Sequence, residues 1–359
     1  MTSSHTLPLP DGRRLTAGAE PGRVRLSIDG RPLLSAACEP MEGGVALIPD
    51  RPPGLPPGLP DPLSADAAWA AACWLFTRDP ACRILVWRGI EPDPEALRSG
   101  LLLADGGGGA ICRRDAFWQL PGPWLRGPGT TGYPAIAHGD GAHLCRPPKP
   151  AGELYRRFDP ALGLWISLRS LDIDADLERF NRWQNNPRVL AFWQEGGDFL
   201  RHRAYLEGLA GDPHVQTLIG CFDDEPFAYF EAYWAKEDRI APFCAPGDHD
   251  RGIHMLVGEE HHRGPHKVRS WLPALVHWLF LSDARTGRVV SEPRADNARM
   301  IGHMQSLGFL REREFDFPHK RAALMVLDRR DFFDRCPGLS EPSSTTAAHD
   351  KSVRMKDSP

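Results

Sequence analysis

The sequence predicts a two-part α/β protein whose regular secondary structure is concentrated after residue 150. Three observations lead there. The chain has 359 residues, and at roughly 150 residues per domain that length favours two domains over one. Glycine and proline number 35 each, which puts proline at about twice its usual share and requires loops or stiff linkers somewhere. That surplus falls mainly before residue 150 and after residue 336, whereas the stretch between alternates strand-like and helix-like segments. The expected organisation is an irregular N-terminal domain over 1–150, an α/β domain over 151–336 and a disordered tail over 337–359.

Composition removes several classes. Hydrophobic residues at 42% and charged residues at 25% are globular values, which excludes fibrous and wholly disordered chains. The longest apolar runs, 67–76 and 271–280, fall far short of the ~20 residues that a membrane-spanning helix needs. A net charge of −4 gives no basic footprint for nucleic acid. The start MTSSHTLPLP lacks the basic-then-apolar pattern of a secretory signal, and the eight cysteines form no CxxC pair. A cytoplasmic protein with reduced thiols is the expectation, with neither a disulfide scaffold nor a zinc ribbon.

In chain order, Arg23–Ile28 alternates as a strand and Arg83–Trp87 reads as another. The run Pro52–Pro62 is barred from helix interiors and central strands by its prolines. Ala65–Phe76 places Trp69, Cys73 and Phe76 at helical spacing. Gly106–Gly109 lacks the GK[ST] or GxGxxG frame of a phosphate cradle and reads as a loop, and Arg146–Pro150 reads as a stiff linker. Leu164–Leu168 is a short apolar strand. Helices follow over Asp174–Asn185, with Leu177, Phe180 and Trp183 on one face, and over Asp198–Leu209. Val215–Phe222, Phe227–Trp234 and Gly252–Gly258 read as strands, the first two joined by the sharp turn Asp223–Pro226. Lys267–Phe280 carries a one-sided apolar stripe, which Pro273 should kink or loosen. A strand at Arg288–Glu292, a helix at Asp296–Leu307 and a hairpin over Phe309–Val326 complete the order.

The chemistry concentrates between Gly252 and Leu279, where a strand leads through an Arg-Gly turn into an amphipathic helix. Such a corner turns the free N–H groups and positive end of a helix outward, an arrangement suited to a diphosphate. Pro265 fits the first helical position, where its missing donor costs nothing. In a strand from Ile253, His254 points away from Ile253, Met255 and Val257. If the strand holding Val290 and Glu292 is its neighbour, His254 meets Glu292 as a base with an orienting carboxylate. His249, His254, His261, His262 and His266 cluster locally, but without an HExxH frame or an ordered acidic third ligand, so no metal is expected. Cys221 and Cys244 lack the charged setting of a thiol nucleophile.

Taken together, Asn185-Asn186-Pro187-Arg188-Val189 with Trp193, Phe227–Glu231, Tyr233–Asp238, Asp250–His254 and Glu292–Asn297 resemble the siderophore-biosynthesis branch of the GNAT N-acyltransferases. The resemblance covers about residues 160–330 and implies the GNAT acyltransferase fold, a mixed and mostly antiparallel sheet flanked by helices. It departs from the general pattern at Pro265-His266, where glycines usually shape the pyrophosphate loop. The implied reaction transfers an acyl group from acyl-CoA, either acetyl-CoA or succinyl-CoA, to the N-hydroxy amine of hydroxylysine, hydroxyornithine or a hydroxy-diamine. His254 would be the general base and Glu292 its acidic partner. Acyl-CoA would be held by a backbone donor in Met255, Leu256 and Val257, and by Arg263, Gly264, His266, Lys267 and Asn297. Glu231, Trp234, Asp238 and Asp250 would grip the cationic end of the amine. A siderophore synthetase and an amine N-hydroxylase are the implied partners, and residues 1–150 read as a degenerate second GNAT-like half. Acetylation of another small amine and a catalytically inactive docking module stand as alternatives.

Overall fold

A computed structural model describes residues 4–50, 61–106, 109–130, 133–134 and 144–339. Most of the proline-rich run, the middle of the glycine run and the tail from residue 340 lie outside the described residues. The chain divides into two compact units, Met1–Pro123 with Gly338–Pro359, and Trp124–Pro337. No described helix is long and apolar enough to cross a membrane.

The first unit is strand-rich rather than irregular. Its eight-stranded sheet runs in the spatial order Ser4–Pro8, Arg14–Glu20, Arg23–Ile28, Arg31–Met41, Gly44–Pro49, Ile84–Trp87, Ala110–Arg113, Leu103–Ala104. The first five form an antiparallel meander. A crossover through the helix Ala65–Arg78 then lays Ile84–Trp87 parallel to Gly44–Pro49. Sequence texture hid these strands because their turns consume glycines, such as Gly22 and Gly30 at φ +71° and +79°. Prolines also sit inside the strands: Pro32 lies beside a register shift, one of the few strand positions that tolerates it.

The second unit contains β1 (Glu153–Asp159), β2 (Leu164–Ser170), α1 (Ile173–Gln184), α2 (Pro187–Trp193), α3 (Phe199–Gly211), β3 (Val215–Phe222), β4 (Glu225–Trp234) and α4 (Ala241–Cys244). It continues with β5 (Arg251–Val257), α5 (Pro265–Ser282), β6 (Arg288–Ser291), α6 (Ala298–Leu307), β7 (Leu310–Phe317), β8 (Lys320–Asp328) and α7 (Arg329–Arg335). Its sheet has the order β1-β2-β3-β4-β5-β6-β8-β7. Only the β5–β6 pair is parallel. This is the mixed, mostly antiparallel sheet that the sequence led us to expect.

The pairing scheme repeats that of the first unit: a five-strand meander, a parallel crossover through a helix, then two antiparallel strands ending on the earlier one. Two differences matter for function. The first unit turns from its second to its third strand through residues 21–22, where the second unit inserts α1, α2 and α3. The parallel pair spans four register positions in the first unit, Gly44↔Ile84 to Leu47↔Trp87, but only Arg251↔Val289 and Gly252↔Val290 in the second. Beyond Gly252 the strands β5 and β6 therefore part, and a wedge opens between them.

Local sequence explains the elements around that wedge. Asp172 caps α1 by accepting from the backbone N–H of Asp174 and Ala175. The helix buries Leu177, Phe180 and Trp183 against Tyr229 and Leu256 of the sheet. The β3–β4 hairpin turns on Asp223 and Asp224, both left-handed at φ +46° and +67°, the pattern that matches strand twist in a two-residue loop. The α5 helix runs unbroken through Pro273, and Trp271–Leu281 are buried on every side rather than along one stripe. Phe332 and Phe333 of α7 cover the face that the one-sided pattern left open.

Arg146–Pro150 is not a free linker. The Arg146 guanidinium pairs with Glu237 at 2.6 Å, with both side chains 1% exposed, and donates to the Asp248 carbonyl at 2.7 Å. The Lys149 ammonium donates to the carbonyls of Leu209, Ala210, Asp212 and Val215 at 2.7–3.1 Å. A buried guanidinium and a half-buried, repeatedly hydrogen-bonded ammonium tie this stretch into the second unit, whose border lies at Trp124 where the sequence had placed it near 150.

Gly252 allows the last paired position of the wedge to form. A Cβ there would lie 1.9 Å from the Tyr233 ring, so Gly252→Ala should displace Tyr233 and destabilise the second unit by about 1–3 kcal/mol. A urea denaturation midpoint indistinguishable from wild type would contradict this.

Candidate active site

The wedge opens into a cleft of about 1330 Å³ lined by α2, β5, the turn before α5, the start of α6 and the β7–β8 turn. His254 projects into it from β5. Its Nδ1 donates to Glu231 Oε2 at 2.7 Å and its Nε2 contacts Glu292 Oε1 at 2.6 Å. Glu231 stands directly opposite His254 in the β4–β5 register. Glu292 follows β6 immediately, and its side chain reaches His254 across the wedge. The carboxylates are 7% and 0% exposed and the imidazole 18%, so the ring is the part of the trio that faces the cleft.

Each carboxylate has further donors. Tyr205 of α3 and Tyr229 of β4 donate to Glu231 Oε1 at 2.6 and 2.8 Å. Tyr233 donates to Glu292 Oε2 at 2.7 Å, and its ring lies 4.8 Å from the imidazole. The Lys320 ammonium sits 3.7 Å from Glu292 Oε1 and donates to the Glu292 carbonyl at 2.7 Å. This dense network fixes the ring plane and leaves both imidazole nitrogens engaged.

The electrostatics follow from that geometry. Burial disfavours a charged His254, but the Glu292 charge and the contacts with Glu231 outweigh it and raise the imidazolium to about 10. Burial likewise opposes ionisation of Glu292, yet the His254 cation holds it down at about 2, with help from Lys320 and Tyr233. Glu231 is also held below the usual carboxylate range: burial is overcome by His254 and the two phenols. At neutral pH the trio is therefore two carboxylates around one cation, with both ring protons in place.

The structure brings together most of the residues expected at the site. His254, Glu292, Met255, Leu256, Val257, Arg263, Gly264, Asn297 and Glu231 all line the cleft. Glu231 holds His254 instead of standing free for a substrate cation. Asn297 caps α6, accepting from the Met300 N–H at 3.2 Å. Gly264, at φ +122°, begins α5 ahead of Pro265.

Five expected residues are not on the cleft. The Lys267 ammonium lies 4.4 Å from the Phe222 ring centre, and His266 packs its ring against Gly264. Trp234 is clamped between the guanidinium groups of Arg146 and Arg251, each 4.2 Å from its ring. Asp250 is spent on the Gly247 N–H and on Arg288, and Asp238 accepts from the Ile240 N–H. These acids shape the loops around β5; polar side chains near a site look alike in sequence whether they face ligand or backbone.

Sequence reasoning missed Tyr205, Arg239 and Lys320, and gave Tyr229 and Tyr233 no role. A signal was present for three members of the network: Tyr229, Glu231 and Tyr233 alternate with period two on one strand. It also missed the acidic neighbour of the paired histidines. Glu225 accepts from His261 and His262 at 2.8 and 3.0 Å, a group whose ligand atoms lie within 4.8 Å of one another. Cys221 and Cys244 are free thiols pushed up by burial, Cys244 to about 11.

Comparison with known proteins bears on this geometry. A family profile described as an acetyltransferase (GNAT) domain matches residues 172–317. The chain is 45% identical over 253 residues to a putative lysine N-acyltransferase of Schizosaccharomyces pombe, covering 70% of this chain and 75% of that protein. It is 42% identical over 254 residues to the N(6)-hydroxylysine O-acetyltransferase of Escherichia coli, covering 70% and 79%. A Beauveria bassiana N(5)-hydroxyornithine:cis-anhydromevalonyl coenzyme A-N(5)-transacylase is 46% identical over 199 residues, 54% of this chain and 44% of that one. Among solved structures, an aminoglycoside acetyltransferase in complex with coenzyme A aligns at 24% identity and a TM-score of 0.43, covering 46% of this chain and 96% of that one.

Proposed function

This chain belongs to the GNAT family of acyl-CoA-dependent N-acyltransferases, and on that premise we propose that it converts an N-hydroxylated amine to a hydroxamate. The acceptor would be hydroxylysine, hydroxyornithine or a hydroxy-diamine of a siderophore pathway. The acyl donor would be acetyl-CoA or succinyl-CoA. One observation carries the choice of acceptor: His254 is held as a cation between Glu231 and Glu292. An ordinary alkylamine is an ammonium at neutral pH and must lose a proton before it can attack. A hydroxylated amine is far less basic and arrives uncharged, so it suits a site whose resident base is itself protonated at neutral pH.

In this reading the acceptor nitrogen attacks the thioester carbon, the C–S bond breaks, and coenzyme A leaves as its thiol. The nitrogen loses one proton, which neutral His254 accepts. Backbone N–H groups of Met255 and Val257, on the edge of β5 that β6 has left, are the donors nearest to hand for the carbonyl oxygen. Arg263, Gly264 and the start of α5 would meet the diphosphate, with Asn297 and Arg299 across the cleft. The side chains of Lys267 and His266, which do not line the cleft, have no part in it.

The first unit fits a GNAT-like half without an acyl site. It shares the strand order but lacks the three inserted helices, two of which contribute residues to the cleft, and its parallel pair stays closed for four positions. A cytoplasmic location, an amine N-hydroxylase as supplier and a siderophore synthetase as consumer complete the reading.

Acceptor scope tests it. With acetyl-CoA or succinyl-CoA, hydroxylysine, hydroxyornithine or hydroxycadaverine should be acylated at neutral pH at least ~100-fold faster than its unhydroxylated parent, since about three pH units separate an alkylammonium from neutrality. Equal rates for hydroxylated and unhydroxylated partners would overturn the proposal.

A further inference from the structure

The cleft contains an arginine for which the acyl-transfer chemistry has no use. Arg239 follows β4, is exposed, and lines the cleft. Among the described residues it makes no hydrogen bond or ion pair; its guanidinium rests 5.4 Å from the Phe317 ring centre. Of the other cleft arginines, Arg188 and Arg263 pair with Glu260 and Arg294 with Asp296, while Arg299 is exposed at the start of α6, the end of the cleft assigned to the diphosphate. The Lys320 ammonium lies over the same Phe317 ring at 5.5 Å and reaches to within 3.7 Å of the Glu292 carboxylate that holds His254. Two cations are thus gathered around one aromatic ring, one of them within reach of the reaction centre.

We propose that Arg239, backed by Lys320, binds a carboxylate carried by one of the reactants. This rests on the acyl-transfer reading above and deepens it by adding a selectivity element. Burial makes the Lys320 ammonium easier to deprotonate, and the like charge of Arg239 adds to that effect against the opposing pull of Glu292. A carboxylate between them would relieve that repulsion and supply the planar two-oxygen partner that a guanidinium matches best. Two reactants can carry such a group: an amino-acid acceptor, through its α-carboxylate, or a dicarboxylic acyl donor, through its distal carboxylate. Arg239 is a positioning residue here, because it touches neither the nitrogen nor the thioester.

Kinetics on the full chain separate the sources. One arm compares N6-hydroxylysine with N-hydroxycadaverine, its counterpart without a carboxylate, using acetyl-CoA. The other compares succinyl-CoA with acetyl-CoA, using N-hydroxycadaverine. In one arm the carboxylate-bearing reactant should be preferred. Arg239→Gln should lower that preference by about 10- to 100-fold, the range for a lost charge-assisted hydrogen bond. The change should appear in KM rather than kcat, and Arg239→Lys should restore part of it. If neither arm shows a preference, or Arg239→Gln alters all reactant pairs alike, the proposal falls.

If no pair is turned over, the acyl-transfer reading fails instead, and calorimetry decides the carboxylate site separately. Unreactive L-lysine and succinate are the probes, with cadaverine as the control without a carboxylate. Binding of either carboxylate that weakens about 10-fold or more in Arg239→Gln supports the site. Equal binding by both proteins, or no binding by either, overturns it.

Discussion

Replacing His254 with glutamine should lower kcat/KM for the hydroxylated amine by about 10²- to 10⁴-fold, the range for a positioned acid–base group. The pH profile of the wild type should be equally distinctive. Only neutral His254 can accept a proton, and its carboxylate partners keep it charged up to about 10. The kcat/KM of the free enzyme should therefore keep rising with pH through about 10 instead of levelling near 7. A plateau near neutrality, or a glutamine variant with wild-type activity, would remove His254 from the proton transfer. Glu292→Gln provides an internal control. The Glu292 charge is the largest influence raising His254, so its removal should move the rise to lower pH.

Stability should follow the same linkage. The folded imidazolium is raised above its unfolded value, so its contribution is complete below about 6.5 and is lost as pH climbs through about 10. Glu292 is depressed, so its contribution is complete above about 4.5 and is lost as pH falls through about 2.

The second large effect lies away from the chemistry. Arg146→Ala should destabilise the second unit by about 3–5 kcal/mol, because it leaves the buried carboxylate of Glu237 without its cation. It also removes one of the two guanidinium groups that sandwich Trp234. The double variant Arg146→Met with Glu237→Gln should recover much of the loss, since an apolar replacement of both partners strands no charge. Urea denaturation followed by tryptophan fluorescence measures both. A single variant within about 0.5 kcal/mol of wild type, the usual scatter of neutral surface changes, would show that the pair is not structural.

Most strands and the longer helices of the second unit were legible because their patterns are local. The strand Glu153–Asp159 and the short helices α2, α4 and α7 were not read. The β3–β4 hairpin could be placed from its Asp-Asp turn, and α1 from its cap and apolar spacing. The helix α2 was missed because Asn186-Pro187 reads as a stop, whereas here it is a cap followed by a first-turn proline. In the first unit, short strands joined by glycine turns and interrupted by prolines carry little periodicity, so a full sheet passed for irregular chain. The His254–Glu292 contact followed from strand parity. The role of Glu231 did not, because its partner is set by a register between strands that no short-range pattern encodes. Arg239 and Lys320 reach the site through loops and turns, where sequence carries still less geometric information.

The buried tyrosines around the trio have an optical consequence. Four of the chain's five tyrosines, Tyr155, Tyr205, Tyr229 and Tyr233, are held protonated above their ordinary range by burial, and at all but Tyr155 by a neighbouring glutamate as well. Phenolate absorbance near 295 nm should thus stay low while the native protein is taken through the titration of His254, and jump when the fold gives way. Ultraviolet spectra recorded beside the kinetics would tell, at each alkaline point, whether a change in rate comes from one imidazole or from the loss of the cage around it.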